Sequence, residues 1–370
     1  MFQHQSSSSS LLILGTPTGP TQTAGLGYGP TMLEWLRLGR VSGLFTILAN
    51  LAAAAAIATY ATGGNYDLKV IFGLLIQGRG ASFLWVIAAS TCIFLSGMLW
   101  NDLADLERDR TLHPRRPLVS GTIGLAAAYG VGSALVAGVL VCSMLAGGGL
   151  AFLAAGLVLS LALLYDFAAK HVPWIGSLVM GSVRATHALF ALFLLGGDHF
   201  LRATAGLLGW CGFATEVQLS LGAAIYPLLL GCYVFGVTLV SELESRSGRR
   251  WELSFAALCI VVPVLIAMGM VATASWIGHW QQQGSYLQLV SSLFLGLAIA
   301  ALWWWRAGRP LFAAVRIGRR GLVGPAVGAT LGGMILFDAL IATSAHPVAG
   351  LAIVMLYPLF VWIGRAIRMD

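Results

Sequence analysis

Long apolar segments alternate with short polar ones along most of the chain. A helix needs roughly 20 mainly apolar residues to cross the hydrocarbon core of a bilayer. Windows of about that length, bounded by charged residues, Gly or Pro, occur ten times. The pattern therefore predicts an all-α, polytopic bundle of nine or ten transmembrane helices around a central cavity. The windows lie near residues 41–62, 82–102, 121–145, 150–166, 175–196, 218–240, 254–274, 287–305, 322–343 and 348–364.

Two of the connections are short enough to leave the number of spans open. Little more than three glycines separates the third window from the fourth, and only the sequence SAHP separates the last two. Each pair forms either a tight helical hairpin or one longer segment.

The first 30 residues differ from the rest of the chain. They are rich in Ser, Thr, Gly and Pro, and no basic region precedes the short apolar run LLIL. We therefore expect a disordered tail over residues 1–30, rather than a signal peptide. A single transmembrane domain is expected over residues 31–370.

Composition supports a membrane protein and excludes a nucleic-acid binder. Hydrophobic residues make up 58% of the chain and charged residues 9%, which is far too apolar for an ordinary soluble protein. The net charge is +7, but no basic stripe with interleaved aromatic residues is present. The bilayer is thus the expected partner, and no nucleic acid is.

The basic residues indicate how the chain is oriented. With a cytoplasmic N-terminus, 17 of the 21 basic residues fall in cytoplasmic segments. Outside loops then hold only Lys69, Arg79 and Arg202, and Arg184 lies within the fifth span. Because basic residues near span ends resist translocation, this orientation is strongly favoured. Both acidic segments described below then face the cytoplasm.

The second span ends in an acidic segment, residues 101–121, with the sequence NDLADLERDRTLHPRRPLVSG. Asp102, Asp105 and Asp109 follow an i, i+3, i+7 spacing, which places them on one stripe of a helix, with Asn101 beside it. Three like charges so close together require a compensating cation. Carboxylate oxygens of this kind suit Mg²⁺, which completes its coordination with water and substrate phosphates.

Three arginines follow the acids, and their forked guanidinium groups match the oxygens of a diphosphate. A plain topological role for these arginines stays equally open. The acids are harder to explain that way, since acids contribute little to membrane orientation. The three candidates for diphosphate binding are Arg110, Arg115 and Arg116.

The run NDLADLERDR followed by RPLVSG resembles the first Asp-rich signature of the UbiA superfamily of intramembrane prenyltransferases. This resemblance implies an enzyme that uses Mg²⁺ to transfer an isoprenyl group from a prenyl diphosphate to an acceptor, which the sequence does not identify. The tenth predicted span, with the sequence LFDALIATSAHPVAG before it, resembles a subgroup of this superfamily that is associated with the Ebo gene cluster. The alternative is a non-catalytic or transport-type membrane protein that retains a lipid-diphosphate pocket.

Residues 163–185, LLYDFAAKHVPWIGSLVMGSVRA, are similar to the segment that follows the fourth span in this superfamily. The resemblance implies that Lys170 contacts the diphosphate, as a catalytic residue with Asp102 and Asp105, and that Tyr165 lines the site. An interfacial anchor and a span-end charge are the plain alternatives for Tyr165 and Lys170. Asp166 would pair with Lys170, four positions on.

A second acidic segment, residues 239–250, departs from the superfamily pattern. Aligning Gly and Arg at its end places Glu242 on the first expected acid, Arg249 on the second and Arg250 on the expected arginine. Three interpretations stay open: one metal ion assisted by Arg249, adapted metal ligands at Glu242 and Glu244, or loss of catalysis.

Two charged residues inside predicted spans also need an explanation. Arg184 and Asp338 each lie within an apolar window, where a charge is costly unless it faces a partner or a polar cavity. Arg184 is a candidate substrate-binding residue. The sequence names no partner for Asp338.

Overall fold

The computed structural model describes residues 30–61, 80–196, 221–245, 250–280 and 286–367, and these are almost entirely helical. The predicted N-terminal tail lies outside the described residues. A π-helical turn, Trp304–Gly308, joins α9 to α10. The helices are α1 Met32–Leu38, α2 Leu44–Ala61, α3 Gly80–Ala104, α4 Leu106–Leu112, α5 Leu125–Phe167, α6 Ile175–Gly196, α7 Leu221–Ser245, α8 Arg250–Trp280, α9 Tyr286–Trp303, α10 Arg309–Ile317, α11 Val323–Ala345, α12 Pro347–Val354 and α13 Leu356–Ala366.

Within the described residues, nine helical stretches are long and apolar enough to cross a membrane. The predicted fold class, an all-α polytopic bundle, is therefore confirmed. One stretch, Leu125–His171, has 47 residues. At 1.5 Å per residue it would extend about 70 Å, against a bilayer core of about 30 Å.

A glycine pair divides this long stretch into two arms. Gly147 has φ −160° and ψ 23°, and Gly148 has φ 70° and ψ −155°, so neither is helical. Gly148 occupies a conformation that glycine adopts far more readily than other residues. The two arms correspond to the third and fourth predicted spans.

The final two spans are separated at the sequence SAHP, as the hairpin interpretation expects. Helix α11 ends at Ala345, and the Nδ1 atom of His346 accepts a hydrogen bond from the backbone N–H of Val348 at 3.2 Å. Burial lowers the pKa of His346 below its ordinary value, which favours the neutral ring that this bond requires. Pro347 then occupies the first helical position, where its missing N–H costs nothing.

Helix α11 lies at the centre of the bundle. Its most apolar window is 78% buried, and it packs against α2, α7, α8 and α9. Asp338 of α11 is fully buried and accepts hydrogen bonds from Asn50 at 2.5 Å and from the Tyr226 hydroxyl at 3.0 Å. Arg184 donates to the other end of the Asn50 amide at 3.5 Å. Asp338 therefore has the partners that the sequence could not name, and the network joins α2, α6, α7 and α11.

Helices α6 and α7 approach each other closely at two glycines. A Cβ atom at Gly181 would lie 2.7 Å from the carbonyl oxygen of Gly231, which is backbone and cannot rotate away. Such small-residue contacts are typical of helix packing in membranes, where dispersion rather than hydrophobicity holds helices together.

We expect Gly181→Ala to lower the free energy of unfolding by about 1–3 kcal/mol, the usual cost of overpacking a close contact. Gly156→Ala is the matched control, because a Cβ there meets nothing within 4 Å and alanine favours the helix. Thermal unfolding of the purified variants in detergent measures the difference. Equal midpoints for the two variants would contradict the close packing of α6 on α7.

Candidate functional site

The acidic stretch keeps the helical path that its spacing predicted, with one interruption. Helix α3 ends at Ala104 and α4 begins at Leu106, so Asp105 lies between them. The backbone N–H of Asp105 still donates to Asn101 at 3.0 Å, and that of Asp109 donates to Asp105 at 2.8 Å. The three aspartates therefore remain on one side of the chain.

Asp102 is at the centre of a buried ion-pair cluster. It is 2% exposed, and its Oδ1 atom lies 2.9 Å from Nη2 of Arg40 and 3.6 Å from Nη1 of Arg116. The same Nη1 atom of Arg116 also pairs with Asp109, which is 4% exposed. The Oδ2 atom of Asp102 is buried and has no hydrogen-bond partner in the described part of the chain. This cluster therefore contains a buried carboxylate oxygen whose capacity to accept a hydrogen bond or a cation is unused in the described chain.

Arg40 is a member of this cluster that sequence reasoning missed. From the sequence, Arg40 was only one of the 17 basic residues expected in cytoplasmic segments. Arg40 lies 62 positions before Asp102, and its φ of 44° is a left-handed conformation that costs an ordinary side chain free energy. The sequence around Arg40 does not reveal its contact with Asp102, because this contact forms only when the segment before α2 packs beside the end of α3.

Lys170 joins the cluster from the other side. Its Nζ atom lies 2.9 Å from Oδ1 of Asp105 and 3.1 Å from Oδ1 of Asn101. The short 3₁₀ turn Ala169–His171, directly after α5, holds Lys170 in this position. The structure thus brings Lys170 together with Asn101 and Asp105, although 69 positions of sequence separate Lys170 from Asn101.

The expected ion pair between Asp166 and Lys170 is not formed. Lys170 contacts Asp105 and Asn101 instead, and Asp166 makes no ion pair in the described ranges. The i, i+4 spacing was misleading because helical structure changes after Phe167, before Lys170. Asp166 is 4% exposed, and its Oδ2 atom has no hydrogen-bond partner among the residues described.

Tyr165 lies near the end of α5, directly before Asp166, and is partly buried. The predicted role of Tyr165, lining the site, is compatible with this position and remains a prediction.

Glu242, from the second acidic segment, caps the N-terminus of α6. Its Oε2 atom accepts from the backbone N–H of Trp174 at 3.1 Å. Its Oε1 atom accepts from the backbone N–H of Ser177 at 3.1 Å and from the Ser177 hydroxyl at 2.5 Å. Trp174 has φ 68°, which turns the chain directly before the helix. A carboxylate at this end also complements the helix dipole.

Comparison with known proteins decides the family. The model of the UbiA prenyltransferase family matches residues 50–314. The chain belongs to the UbiA prenyltransferase family. Membership supports a prenyltransferase role in general, in an integral, multi-pass membrane protein.

Two solved structures share the UbiA fold with this chain. A digeranylgeranylglyceryl phosphate synthase matches with a TM-score of 0.50 and 18% identity, over 84% of this chain and 97% of that one. A UbiA homologue from Aeropyrum pernix K1, in its apo form, matches with a TM-score of 0.50 and 20% identity, over 81% and 96%. No curated protein matches the chain. These likenesses concern the fold alone.

The second acidic segment of this UbiA-family chain does not bring its two glutamates to one point. Residues two apart on a helix point in different directions. Glu242 contacts the start of α6, whereas a side chain at Gly324 would lie 2.5 Å from Oε1 of Glu244, so Glu244 faces the start of α11. Arg249 lies outside the described residues, and Arg250 is exposed at the first position of α8.

Three other predicted site residues form no ion pair with the aspartates of the buried cluster in the described ranges. Arg110 is exposed and pairs with Glu107 at 2.7 Å, and Arg115 is exposed as well. Arg184 lies in the interior network with Asn50. The residues that the structure does bring together are Asn101, Asp102, Asp105, Asp109, Arg116 and Lys170, with Arg40 added.

We expect Glu242→Ala to destabilise the protein even without any metal ion, because it leaves the N-terminal amides of α6 without an acceptor. The cost is about 0.5–2 kcal/mol, the usual loss for a helix cap. Thermal unfolding in detergent with a chelator present measures it, and Glu244→Ala is the control on the same helix. A Glu242→Ala protein of unchanged stability would show that the cap contributes nothing.

Proposed function

We propose that this protein is a Mg²⁺-dependent intramembrane prenyltransferase that transfers an isoprenyl group from a prenyl diphosphate to an acceptor. The observation that carries the proposal is the buried cluster at the end of α3. There, the aspartates of the first acidic segment meet Arg40, Arg116 and Lys170 within a UbiA-family fold. The charge bias of the loops supports a site that faces the cytoplasm.

The residues of the cluster fit a magnesium ion. The buried Oδ2 atom of Asp102 has no partner in the described chain, and such an atom is costly unless a ligand satisfies it. No three acidic, histidine or cysteine side chains in the described ranges form a metal site by themselves. Mg²⁺ seldom needs three protein ligands, because it usually binds through one or two carboxylates together with substrate phosphates.

One or two of the three aspartates, Asp102, Asp105 and Asp109, would hold the ion together with phosphate oxygens of the substrate. When bound, the metal supplies positive charge that stabilises the departing diphosphate. Arg40, Arg116 and Lys170 contribute in the same way, because their N–H groups can turn from the carboxylates to diphosphate oxygens. Each of the three already lies within 4 Å of one of these aspartates, so small movements suffice.

The transfer breaks one bond and forms another. The bond between the allylic carbon and the diphosphate oxygen breaks, and its electron pair leaves with the diphosphate. An electron pair of the acceptor then forms the new bond to that carbon, and the acceptor loses a proton to water or to the released diphosphate. Positive side chains around the leaving group favour this transition state, where negative charge develops. The apolar bundle shelters the prenyl tail.

The capping role of Glu242 favours one of the three interpretations of the second acidic segment. Both oxygens of Glu242 already accept hydrogen bonds, and Glu244 faces another helix. We infer that one metal ion operates and that Arg249 supplies the second positive charge to the diphosphate.

Asp102→Ala and Asp105→Ala are each expected to reduce diphosphate release by about 10²–10³-fold, the usual effect of losing one electrostatic contact in a transition state. The assay incubates the purified protein with radiolabelled prenyl diphosphate, Mg²⁺ and a panel of acceptors. Glu107→Gln is the control, because that side chain is 81% exposed. Tight Mg²⁺-dependent binding without turnover, across prenyl lengths, would instead establish the non-catalytic, transport-type alternative.

Arg249→Asp tests the one-metal interpretation. Restoring an acid at this position is expected to raise the number of bound metal ions from about one to about two, since a carboxylate binds Mg²⁺ and a guanidinium does not. Titration calorimetry with Mg²⁺ and inorganic pyrophosphate measures the stoichiometry, and Arg246→Asp controls for the change of charge. Two ions in the unchanged protein would refute the interpretation.

A further inference from the structure

Asp166 is a buried acid that lies outside both acidic segments of the sequence. It lies in the last turn of α5, is 4% exposed, and its Oδ2 atom has no hydrogen-bond partner among the residues described. Burying a carboxylate is expensive unless a cation or a proton compensates for it. Lys170, four positions later in the sequence, contacts Asp105 and Asn101 and does not pair with Asp166.

The end of α5 that carries Asp166 packs beside the end of α3. The ring of Phe167, the next residue, lies 6.1 Å from the ring of Trp100, and Lys170 contacts Asn101 and Asp105. Asp166 therefore approaches the cluster from α5, whereas Asp102 and Asp105 approach it from the end of α3. Extensive packing of α3 on α5 holds the two sides together.

The cluster has one carboxylate more than it has cations. Arg40 pairs with Asp102, Arg116 pairs with Asp109 and Asp102, and Lys170 pairs with Asp105. Asp166 is left over among the described residues. Two oxygens, Oδ2 of Asp102 and Oδ2 of Asp166, are both buried and without hydrogen bonds in the described chain.

We propose that Asp166 is a ligand of the divalent cation in this site and takes the place of Glu242, whose oxygens accept hydrogen bonds from the start of α6. The proposal rests on the proposed function for the identity of the cation. Because Mg²⁺ prefers hard oxygen ligands and readily bridges carboxylates to phosphate oxygens, an acid on α5 would serve in place of one on α7. Asp102 and Asp166 would then bind from two different helices.

Direct metal binding tests the proposal without any measure of activity. Mn²⁺, which has a paramagnetic signal, is titrated into the full-length protein in detergent with inorganic pyrophosphate. Asp166→Asn is expected to weaken Mn²⁺ binding by at least about tenfold, because loss of a residue that only orients a metal ligand already costs about 10–100-fold. Asp102→Asn should behave alike, and Glu107→Gln, an exposed acid on the same segment, should leave the affinity unchanged.

Asp166→Cys separates ligation from a remote effect of charge. A thiolate ligand favours soft cations, so this variant should bind Cd²⁺ at least about tenfold more tightly than the unchanged protein does, while losing affinity for Mn²⁺. The gain of Cd²⁺ binding also shows that the variant is folded. Unchanged Mn²⁺ affinity in Asp166→Asn, or no gain of Cd²⁺ affinity in Asp166→Cys, would overturn the proposal.

The outcomes distinguish this inference from the proposed function. If the protein binds Mn²⁺ through Asp166 but does not turn over any prenyl diphosphate, the proposed function is refuted and the role of Asp166 as a metal ligand is supported. Turnover that depends on Asp102, together with normal Mn²⁺ binding in Asp166→Asn, would support the function and refute the ligand.

Discussion

The cost of burying charge in an apolar bundle governs the arrangement of this structure. Asp102, Asp109 and Asp338 are almost completely inaccessible to solvent, and each is reached by donors from other segments of the chain. Breaking a buried pair by removing one partner typically costs about 3–5 kcal/mol. The helices must therefore pack so that these partners meet, and the positions of Arg40 and Asn50 follow from that requirement.

Two of the polar networks in the described chain have different consequences. The interior network around Asp338 joins four helices and holds α11 at the centre of the bundle. The cluster around Asp102 lies where α3 ends, and it leaves a buried carboxylate oxygen without a hydrogen-bond partner among the described residues. The first network stabilises the scaffold, while the second gathers acids and cations at the end of α3.

The second acidic segment shows how one side chain can take a structural role that its position in the family would not suggest. Glu242 lies where the family pattern has an acid, yet its oxygens accept the free amides at the start of α6. Those amides need an acceptor because the first turn of a helix has none of its own. A carboxylate used in this way is less available to a metal ion, and the proposed ligand Asp166 on α5 would take its place.

The sequence by itself determined the membrane class, the positions of the spans and the first acidic stripe, since these depend on hydropathy and on spacing along one helix. Resemblance also pointed to Lys170, which the structure brings beside Asp105 and Asn101. Only the tertiary structure decided the rest: Arg40 joins Asp102 across 62 positions, Asp338 meets Asn50, and Asp166 is left without Lys170. Periodicity describes neighbours on the same helix. Contacts between helices depend on how the bundle packs, which no local pattern contains.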